Sequence, residues 1–530
     1  MEKYIVAAKP DGFGVRLCTL LNAMYLSKKT HLSFKFRWEV PRIPHNTTLK
    51  GILTPYENIP SKENLFHPDF IANYHTTLIP SSEDMSILHH QSLSKFCSTP
   101  CTYVFGSYSV QVLLHHYWKD IDIKEYFTIL KSCWESVRFT PYVERIIAKA
   151  KAKALNLGSF VAVHLRAGDV IYNLKQDIHI NPYTFMKKPL SPYLALEIIN
   201  EQRQAGQKVL LFSDDLPTLQ AIKAQNDNYF AMNGGGAELI IADDIIETHW
   251  NNFERSFFEM ILISCAKTLY SSGDSAFSRL PIMISNMPHI SLYERFSLAQ
   301  QYHIYQKYLQ TYTFHPAQVA FAYLHLWHLA GLLHLGLEHQ KHYIAKATAC
   351  EYENMTYKIL LCSTMLKMKK YGELEKLLSL ILAQCKESFL QELTAYQTYH
   401  SFLYAFALEE YFTLTHNLSF SQIPYVTYFK YAIVSVLLEL PLEQIQQIQN
   451  YKAILAFLDS QNITRFCSHT KEIESFNELT LKLQSKSFAK KVRTLKMRIH
   501  FAYIRKLCSL KYWIGRFKGL KRSLAKRGLL

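Results

Sequence analysis

The stretch FVAVHLRAGDVIYN, residues 160–173, decides the fold class and points to the functional site. It opens with an unbroken run of β-formers, which is typical of a strand buried on both faces. A histidine, an arginine, a glycine and an aspartate then fall within six residues, 164–169. A strand that only fills a core does not usually end in this way. The stretch therefore predicts a buried strand whose carboxyl end carries chemistry.

Short apolar runs alternate with helix-length segments through the first 300 residues. The candidate strands are 4–8, 31–36, 160–165, 208–213, 238–242 and 268–272. Their alternation with helical segments favours an α/β fold with parallel, doubly wound sheets. The early strand–helix pair and the later series predict two Rossmann-like halves with a cleft between them. Ligands of such sheets bind beyond the carboxyl ends of the strands, where the HLRAGD loop lies.

The character of the chain changes after about residue 300, and four segments are predicted. Two Rossmann-like halves occupy residues 1–150 and 151–300, an all-helical domain 301–480, and a basic amphipathic tail 481–530. LKMKKYGELEKLLSLI in the third segment resembles one half of a tetratricopeptide-type helical pair, but no 34-residue repeat is found. The helical segment is therefore left without a subtype.

The net charge of +16 is concentrated in the tail. From Leu479 onward there are 16 Lys and Arg and no Asp or Glu, so the remainder of the chain is close to neutral. Residues Tyr503, Leu507, Leu510, Ile514 and Phe517 follow helical spacing and form an apolar stripe beside this charge. The pattern favours an interfacial helix on an anionic membrane. A packed terminal helix is the alternative, and nucleic-acid binding is disfavoured because the basic residues surround an apolar stripe.

The compartment is predicted from what the sequence does not contain. No window offers 18 to 20 uninterrupted apolar residues, and the opening residues do not read as a signal peptide. Ten cysteines are scattered without a repeating framework, which suits a reducing compartment. The expected location is cytoplasmic, peripheral at the inner face of the cytoplasmic membrane.

Arg166 is the first candidate for chemistry. An arginine at a strand end offers a phosphate a rigid, permanently charged fork. Gly168 lets the chain turn closely, and Asp169 can cap backbone N–H groups or orient the arginine. The alternative is a simple strand-end turn in which Arg166 and Asp169 pair with each other.

Three further strand ends carry small, polar or charged residues. The loop after the first strand contains Asp11, Gly12 and Gly14 and leads into a helix whose N–H groups can face an anion. The strand 208–213 ends in Ser213, Asp214 and Asp215, and the strand 268–272 is followed by Ser275, Phe277 and Ser278. Four strand ends are thus predicted to surround one cleft.

This set of loops resembles the fucosyltransferase superfamily of α-1,2-, α-1,6- and protein O-fucosyltransferases. Its hallmark is an H-x-R-x-G-D type motif, most often H-x-R-R-x-D, which HLRAGD at 164–169 matches. FSDD at 212–215 is identical to a strand-end motif of the α-1,2 enzymes. SGDSAFSRL loosely matches a phosphate-contacting turn, and DGFGVRL matches a G-x-G-N-Q-type loop in its glycines. The resemblance covers about residues 4–290.

The resemblance implies a two-Rossmann glycosyltransferase of the GT-B type that uses a GDP-sugar, most often GDP-fucose. Residues 1–150 would be the acceptor side and residues 151–300 the donor side. Such enzymes invert the anomeric centre and typically need no metal, so no cofactor is expected beyond the GDP-sugar substrate. The acceptor would be a glycan or lipid-linked glycan of a bacterial surface polysaccharide, such as lipopolysaccharide or capsule.

The resemblance also implies roles for individual residues. Arg166 would bind the β-phosphate, His164 would line the nucleotide site, and Asp214 would lie near the guanine or ribose. Ser275 and Ser278 would contact the pyrophosphate, and the other predicted donor-binding residues are Gly12, Gly14, Ser213, Asp215 and Phe277. The predicted catalytic residues are Arg166, Asp169 and Asp11, the two aspartates as candidate general bases.

The chain departs from the family pattern at three positions. Ala167 stands where many members have a second arginine, which puts the donor sugar in question. Val15 and Arg16 replace the common Asn-Gln, which puts the acceptor-side loop in question. Two alternatives therefore stay open. One is a glycosyltransferase with another nucleotide sugar, and the other is a non-catalytic nucleotide-binding and helical interaction protein.

Overall fold

The protein is described by a computed structural model. The described residues are 4–9, 11–30, 32–39, 47–49, 52–54, 59–77, 91–98, 105–106, 112–172, 188–273, 275–397, 401–439, 457 and 477–493. The chain divides into two compact units, residues 1–333 and 334–530.

Two parallel sheets form the framework of the first unit. Its strands are β1 (Tyr4–Ala7), β2 (Ser33–Phe36), β3 (Thr47–Leu49), β4 (Ile52–Thr54), β5 (Phe105–Gly106), β6 (Phe160–Leu165), β7 (Lys208–Ser213), β8 (Leu239–Ile241), β9 (Leu269–Ser271) and β10 (His289–Ser291). The smaller parallel sheet has the order β2-β1-β5, and the larger has the order β10-β9-β6-β7-β8. β3 and β4 form a separate antiparallel pair.

Helices connect and cover these strands. They are α1 (Phe13–Thr30), α2 (Lys62–Leu65), α3 (Pro68–Tyr74), α4 (Leu93–Ser98), α5 (Ile123–Ser136), α6 (Pro141–Leu157), α7 (Gly168–Tyr172), α8 (Pro192–Gln204), α9 (Leu216–Met232), α10 (Asn252–Ile263), α11 (Ala276–Ser285), α12 (Leu292–Arg295), α13 (Leu298–Tyr308) and α14 (Pro316–Leu332). Local sequence explains several starts. Proline occupies the first turn of α6 and α8, and Asn251 with Glu254 forms a capping box at α10.

In the larger sheet, successive strands are added first on one side of β6 and then on the other. β6 lies in the middle, with β7 and β8 on one side and β9 and β10 on the other. This is the strand order of a doubly wound nucleotide-binding sheet, whose switch point lies between β6 and β9. All six residues of β6 are buried, as the unbroken apolar run predicts. The residues after Leu165 therefore leave the sheet at the position where such folds bind ligands.

The six predicted strands are all present, and two of them have the predicted bounds. β10 was not predicted, because three residues after Pro288 are too short for an alternation signal. Parallel pairing keeps the predicted loops together, since Leu165 at the end of β6 is level with Ser213 at the end of β7.

Helices that follow residue 300 also belong to the first unit. Nδ2 of Asn200 in α8 donates to Tyr308 Oη in α13 at 2.8 Å. Gln225 in α9 bonds the backbone of Thr313 in both directions, at 2.8 and 2.9 Å. The structure thus packs α13 onto the larger sheet's own helices, and the predicted domain boundary at 300/301 stays a prediction.

The second unit is helical apart from one short hairpin, within its described residues. Its helices are α15 (Leu337–Cys350), α16 (Met355–Lys367), α17 (Tyr371–Leu393), α18 (Ala405–Thr413), α19 (Pro424–Leu437) and α20 (Asn477–Gln484). β11 (Tyr396–Gln397) and β12 (Ser401–Phe402) form the antiparallel hairpin. Residues 494–530, which make up most of the predicted tail, lie outside the described residues. Among the helices that are described, none is both long enough and apolar enough to cross a membrane.

An aromatic cluster joins α1 to the helices around the larger sheet. Phe257 of α10 is fully buried, and its ring centroid lies 5.5 Å from that of Phe13, 5.9 Å from Phe139 and 5.8 Å from Phe253. Phe13 is the first residue of α1 and also meets Trp38 edge to face. The cluster therefore fixes the start of α1 against the helices of the larger sheet. It also fixes residues 11–14 at that start, which we call the glycine loop.

Replacing Phe257 with alanine should destabilise the first unit by about 3–5 kcal/mol, the usual cost of emptying a buried phenylalanine site. The midpoint of thermal unfolding, followed by circular dichroism, measures this. Leu155→Ala is the control, because Leu155 is 82% exposed and its loss should shift the midpoint little. Equal shifts in the two variants would contradict the role given to the cluster.

Candidate functional site

Asp214 closes the loop after β6 onto the end of β7. Its Oδ1 accepts hydrogen bonds from the backbone N–H groups of Ala167, at 3.0 Å, and Gly168, at 2.8 Å. Its Oδ2 lies 3.0 Å from Nη1 of Arg166. One carboxylate thus holds both the turn and the arginine, so the HLRAGD and FSDD stretches form a single structure.

Gly168 permits this close approach. A Cβ at this position would lie 2.8 Å from the backbone oxygen of Asp214 and 2.9 Å from its Cγ. Only glycine leaves room for the two loops to meet. Glycine is therefore required at position 168 because the two loops touch there. The sequence alone indicates a tight turn instead.

Arg166 forms an ion pair with Asp214, a partner that the sequence analysis did not name. The Arg166 side chain is 29% exposed, so the guanidinium is held by Asp214 and still reaches solvent. The backbone of Asp169 lies in α7, and its side chain is outside the described residues. Its predicted catalytic role accordingly stays a prediction.

Asp214 stays ionised despite its burial. Burial alone would raise the pKa of its carboxyl, but Arg166 and the N–H groups of Ala167 and Gly168 more than offset this. The pKa of Asp214 therefore lies below its ordinary value. At neutral pH the arginine accordingly faces a full negative charge on one side.

His164 connects the end of β6 to the turn after β9. Its Nδ1 lies 2.7 Å from Oγ of Ser278, and its ring stacks on Phe277 with the centroids 4.9 Å apart. The side chain is buried, and burial lowers the pKa of His164 to about 4, Arg166 adding to the effect and Asp214 opposing it. His164 is therefore neutral at pH 7 and acts as a hydrogen-bonding and packing group.

The glycine loop after β1 meets the same turn from the other side. A Cβ on Gly14 would lie 3.1 Å from the backbone oxygen of Ala276, the first residue of α11. Ser275 precedes that helix, and its hydroxyl does not cap it. The first N–H groups of α11 and the glycine loop therefore lie side by side, in the arrangement that binds anions at helix starts.

Arg16 holds the glycine loop in place. It is buried, with Nε donating to the backbone oxygen of Asp11 and Nη1 to that of Glu39, both at 2.6 Å. Asp11 itself is 52% exposed, and its Oδ1 accepts from the N–H of Gly12 at 2.7 Å. Asp11 therefore stands at the rim of the loop. Arg16, which departs from the family pattern, supports the loop from inside.

Asp215 supports the site from behind. It is fully buried and caps α9 by accepting from the N–H of Thr218, at 3.1 Å. Its Oδ2 accepts from Tyr172 Oη at 2.7 Å and from Gln318 Nε2 at 2.9 Å. Ser213 Oγ in turn accepts from the N–H of Asp215. Asp215 therefore orients α7, the helix that follows Arg166. It has no exposed surface that a ligand could contact.

The predicted residues thus fall into three groups. Those brought together at the switch point and the adjoining turn are His164, Arg166, Ser213, Asp214, Ser275, Phe277 and Ser278, with Gly12 and Gly14 against the turn. Asp11 lies at the rim and Asp215 behind the site. Tyr172, Gln318 and Arg16 were not predicted, because their roles depend on partners far away in the sequence.

A separate cavity of about 570 Å³ lies beside the aromatic cluster. Glu63, Asn64, Tyr142, Asn251 and Phe253 are among the residues that line it. Phe253 packs against Phe13, with the ring centroids 5.1 Å apart, so the cavity adjoins the start of α1. Among the residues that the structure describes, no group of three or more His, Cys, Asp or Glu side chains could hold a metal ion.

Solved structures similar to this chain are fucosyltransferases. NodZ α-1,6-fucosyltransferase soaked with GDP-fucose shares 12% sequence identity, with a TM-score of 0.31 over 55% of this chain and 95% of that one. NodZ from Bradyrhizobium gives 14% and 0.32 over 57% and 96%, and POFUT1 in complex with GDP gives 13% and 0.30 over 55% and 98%. No protein-family model matches the sequence, and no curated protein matches it.

The buried, neutral His164 predicts a pH dependence of stability. An unfolded histidine takes up its proton near pH 6.5, whereas His164 in the folded protein does so at about 4. Between these values the unfolded state binds more protons, so stability present above pH 6.5 is lost as the pH falls towards 4. His115, His289 and His325 also have lowered pKa values, so the comparison with a variant is the measurement.

His164→Gln should lose less stability than the wild type between about pH 7.5 and 4.5, as measured by the midpoint of thermal unfolding. His249→Gln is the control, because that side chain is 74% exposed. Parallel curves for His164→Gln and the wild type would contradict a neutral, buried His164.

Proposed function

We propose that this protein is a glycosyltransferase that transfers fucose from GDP-fucose to a glycan acceptor. The observation that carries the proposal is the guanidinium of Arg166, held by ionised Asp214 at the switch point of a doubly wound sheet. A nucleoside diphosphate leaving a sugar develops negative charge on its β-phosphate. A preorganised arginine at that position stabilises the charge directly.

The surrounding contacts support a diphosphate in this position. Neutral His164 adds no charge, and it occupies the buried Ser278 hydroxyl, while Ser275 and the start of α11 offer hydroxyl and N–H donors. The glycine loop reaches the same turn without side-chain bulk at position 14. Close approach by backbone N–H groups suits phosphate oxygens.

In the proposed reaction an acceptor hydroxyl attacks the anomeric carbon of fucose. A new C–O bond forms on the face of the sugar opposite GDP. The bond between the anomeric carbon and the β-phosphate oxygen breaks, and GDP leaves with both electrons. The anomeric configuration is inverted, and the hydroxyl proton passes to a carboxylate, for which Asp11 and Asp169 are the candidates. The half-exposed Asp11 lies on the glycine loop, beside the turn that carries Ser275. The reaction is proposed to need no metal.

For the architecture we propose two Rossmann-like halves of the GT-B type. The sheet β2-β1-β5 would belong to the acceptor side and the sheet β10-β9-β6-β7-β8 to the donor side. The cavity beside Phe13 has the mixture of aromatic, amide and carboxylate groups that suits sugar hydroxyls and pyranose faces. It supports a glycan or lipid-linked glycan as the acceptor, and a role in lipopolysaccharide or capsule synthesis is part of the proposal.

Calorimetric titration with GDP, UDP, CDP and ADP in the presence of EDTA tests the donor. GDP alone should bind the wild type, and Arg166→Ala should lose most of that affinity. Turnover of GDP-fucose should fall by about 10²–10³ in Arg166→Ala, since a transition-state contact is lost. Arg138→Ala is the matched control, because Arg138 is 61% exposed and pairs with Asp69 at the surface.

Each other outcome would point to a different function. Preference for UDP, or a need for metal, would keep a transferase and discard GDP-fucose. Binding of GDP without turnover in an acceptor screen would favour the non-catalytic alternative. Failure to bind any nucleotide would overturn the proposal and favour a helical interaction protein.

We further propose that the basic tail holds the enzyme at the inner face of the cytoplasmic membrane. Its 16 Lys and Arg beside an apolar stripe support this, at about 1 kcal/mol for each basic residue near an anionic surface. A chain shortened to residue 493 should no longer sediment with vesicles of phosphatidylglycerol and phosphatidylcholine, while the full chain should. The full chain should dissociate at high salt. Equal sedimentation of the two chains would contradict a membrane role for the tail.

A further inference from the structure

An amine and a thiol meet inside the second unit, whereas the residues of the proposed transferase belong to the first. Lys358 of α16 is 1% exposed, and its Nζ lies 3.4 Å from Sγ of Cys385 in α17. The same Nζ lies 3.8 Å from the ring centroid of Tyr352. A lysine buried to this degree is rare unless its charge is paired.

Within the described residues, no carboxylate forms an ion pair with Lys358. Burying an ammonium without a carboxylate partner is costly, and the structure gives this amine the Cys385 sulfur as its hydrogen-bond acceptor. The nitrogen and the sulfur are both potential nucleophiles, and they lie in direct contact, within reach of an N–S bond.

The backbone of α17 breaks at the same residue. Cys385 has φ −151° and ψ 29°, which interrupts the helix between Tyr371 and Leu393. Cys385 is half-buried and free, and Tyr352, itself 41% exposed, covers the amine. Tyr352 Oη donates to Oε1 of Gln384 at 2.5 Å, next to the kink. Tyr352 therefore packs over the amine from the protein surface.

We propose that Lys358 and Cys385 form a peroxide-responsive pair that closes to a covalent cross-link. The Cys385 thiolate attacks hydrogen peroxide, so that an S–O bond forms, the O–O bond breaks and water leaves after taking up a proton. This gives the sulfenic acid. The Lys358 amine then attacks that sulfur, an N–S bond forms, the S–O bond breaks, and a second water leaves.

The net reaction consumes one thiol, one amine and one peroxide, and it gives one sulfenamide and two waters. Sulfur is oxidised by two electrons and peroxide is reduced by two. The product ties α16 to α17 at the kink. A thiol reductant should reopen it, because thiols attack sulfur that carries a leaving group.

Two of the described cysteines, Cys362 and Cys97, lack this arrangement. Cys362 is fully buried, and burial raises the pKa of its thiol to about 12. Cys97 is exposed, and its Sγ lies 3.8 Å from the backbone oxygen of Lys29. Peroxide can therefore reach Cys97, but a backbone carbonyl cannot form the N–S bond, so Cys97 serves as an internal control.

Peptide mapping of the full chain tests the proposal. The protein is treated with hydrogen peroxide, free thiols are alkylated, and the digest is analysed by mass spectrometry with and without dithiothreitol. In the wild type, the peptides that contain Lys358 and Cys385 should appear joined, at their summed mass less two hydrogens. Dithiothreitol should separate them, and Cys97→Ser should leave the result unchanged.

Two variants separate the steps. Cys385→Ser should abolish the joined peptide. Lys358→Arg keeps a positive charge but has no amine that attacks sulfur, so it should accumulate the sulfenic acid, which dimedone traps. Circular dichroism establishes that both variants are folded, and the wild-type map alone decides the matter if they are not.

Two results would overturn the proposal. One is oxidation of Cys97 while Cys385 stays reduced. The other is oxidation of Cys385 in the wild type to sulfenic acid, with no peptide joined to Lys358. Neither result bears on the transferase, which is tested by nucleotide binding.

Discussion

The carboxylate of Asp214 is the constraint on which the rest of the proposed site depends. Three groups from the loop after β6 converge on it, namely two backbone N–H groups and the guanidinium of Arg166. A buried anion is stable only when it is compensated in this way. The compensation also decides where the arginine points. A glycine at position 168 is the steric condition for the contact, and the parallel register of β6 and β7 is the topological one.

The electrostatics of the site are divided between a charged and an uncharged part. Arg166 and Asp214 form an ion pair at the switch point of the larger sheet, while His164 is kept neutral by burial. A second cation beside Arg166 would strengthen the binding of a diphosphate and would also slow its release. The family pattern often has such an arginine, and Ala167 stands in its place here. Under the proposed function, a single arginine would hold the GDP product less tightly and would favour its release.

Sequence reasoning found the elements whose signals are local. β6 and β7 had the predicted bounds because unbroken apolar runs ended in polar turns, and the helix at Pro192 began where proline is tolerated. Their convergence on one edge followed from topology. The ion pair of Arg166 with Asp214 was not found in this way, since Asp214 is 48 residues away in the sequence. Pairing over that distance is decided by register, which a single sequence does not state.

The residues that support the site from behind could not be predicted for the same reason, because their partners are distant in the sequence. Gln318 reaches Asp215 across 103 residues, and no periodicity or motif marks it. Arg16 was noticed only as a departure from a family pattern, whereas its burial shows a bracing role for the glycine loop. Most of the tail and several loops lie outside the described residues, so the predictions made for them remain predictions.

The hydrogen bond from Gln318 to Asp215 has a consequence for how this chain can be divided. A designer who cut it at residue 300 would remove a hydrogen-bond donor from the buried Asp215 carboxylate and expose the face of α7 that α14 covers. The smallest portable piece is therefore set by α14 and ends near residue 333. Recombination with a relative would have to carry that helix along. In this sense the sheet that contains β6 and the segment after residue 300 form one module.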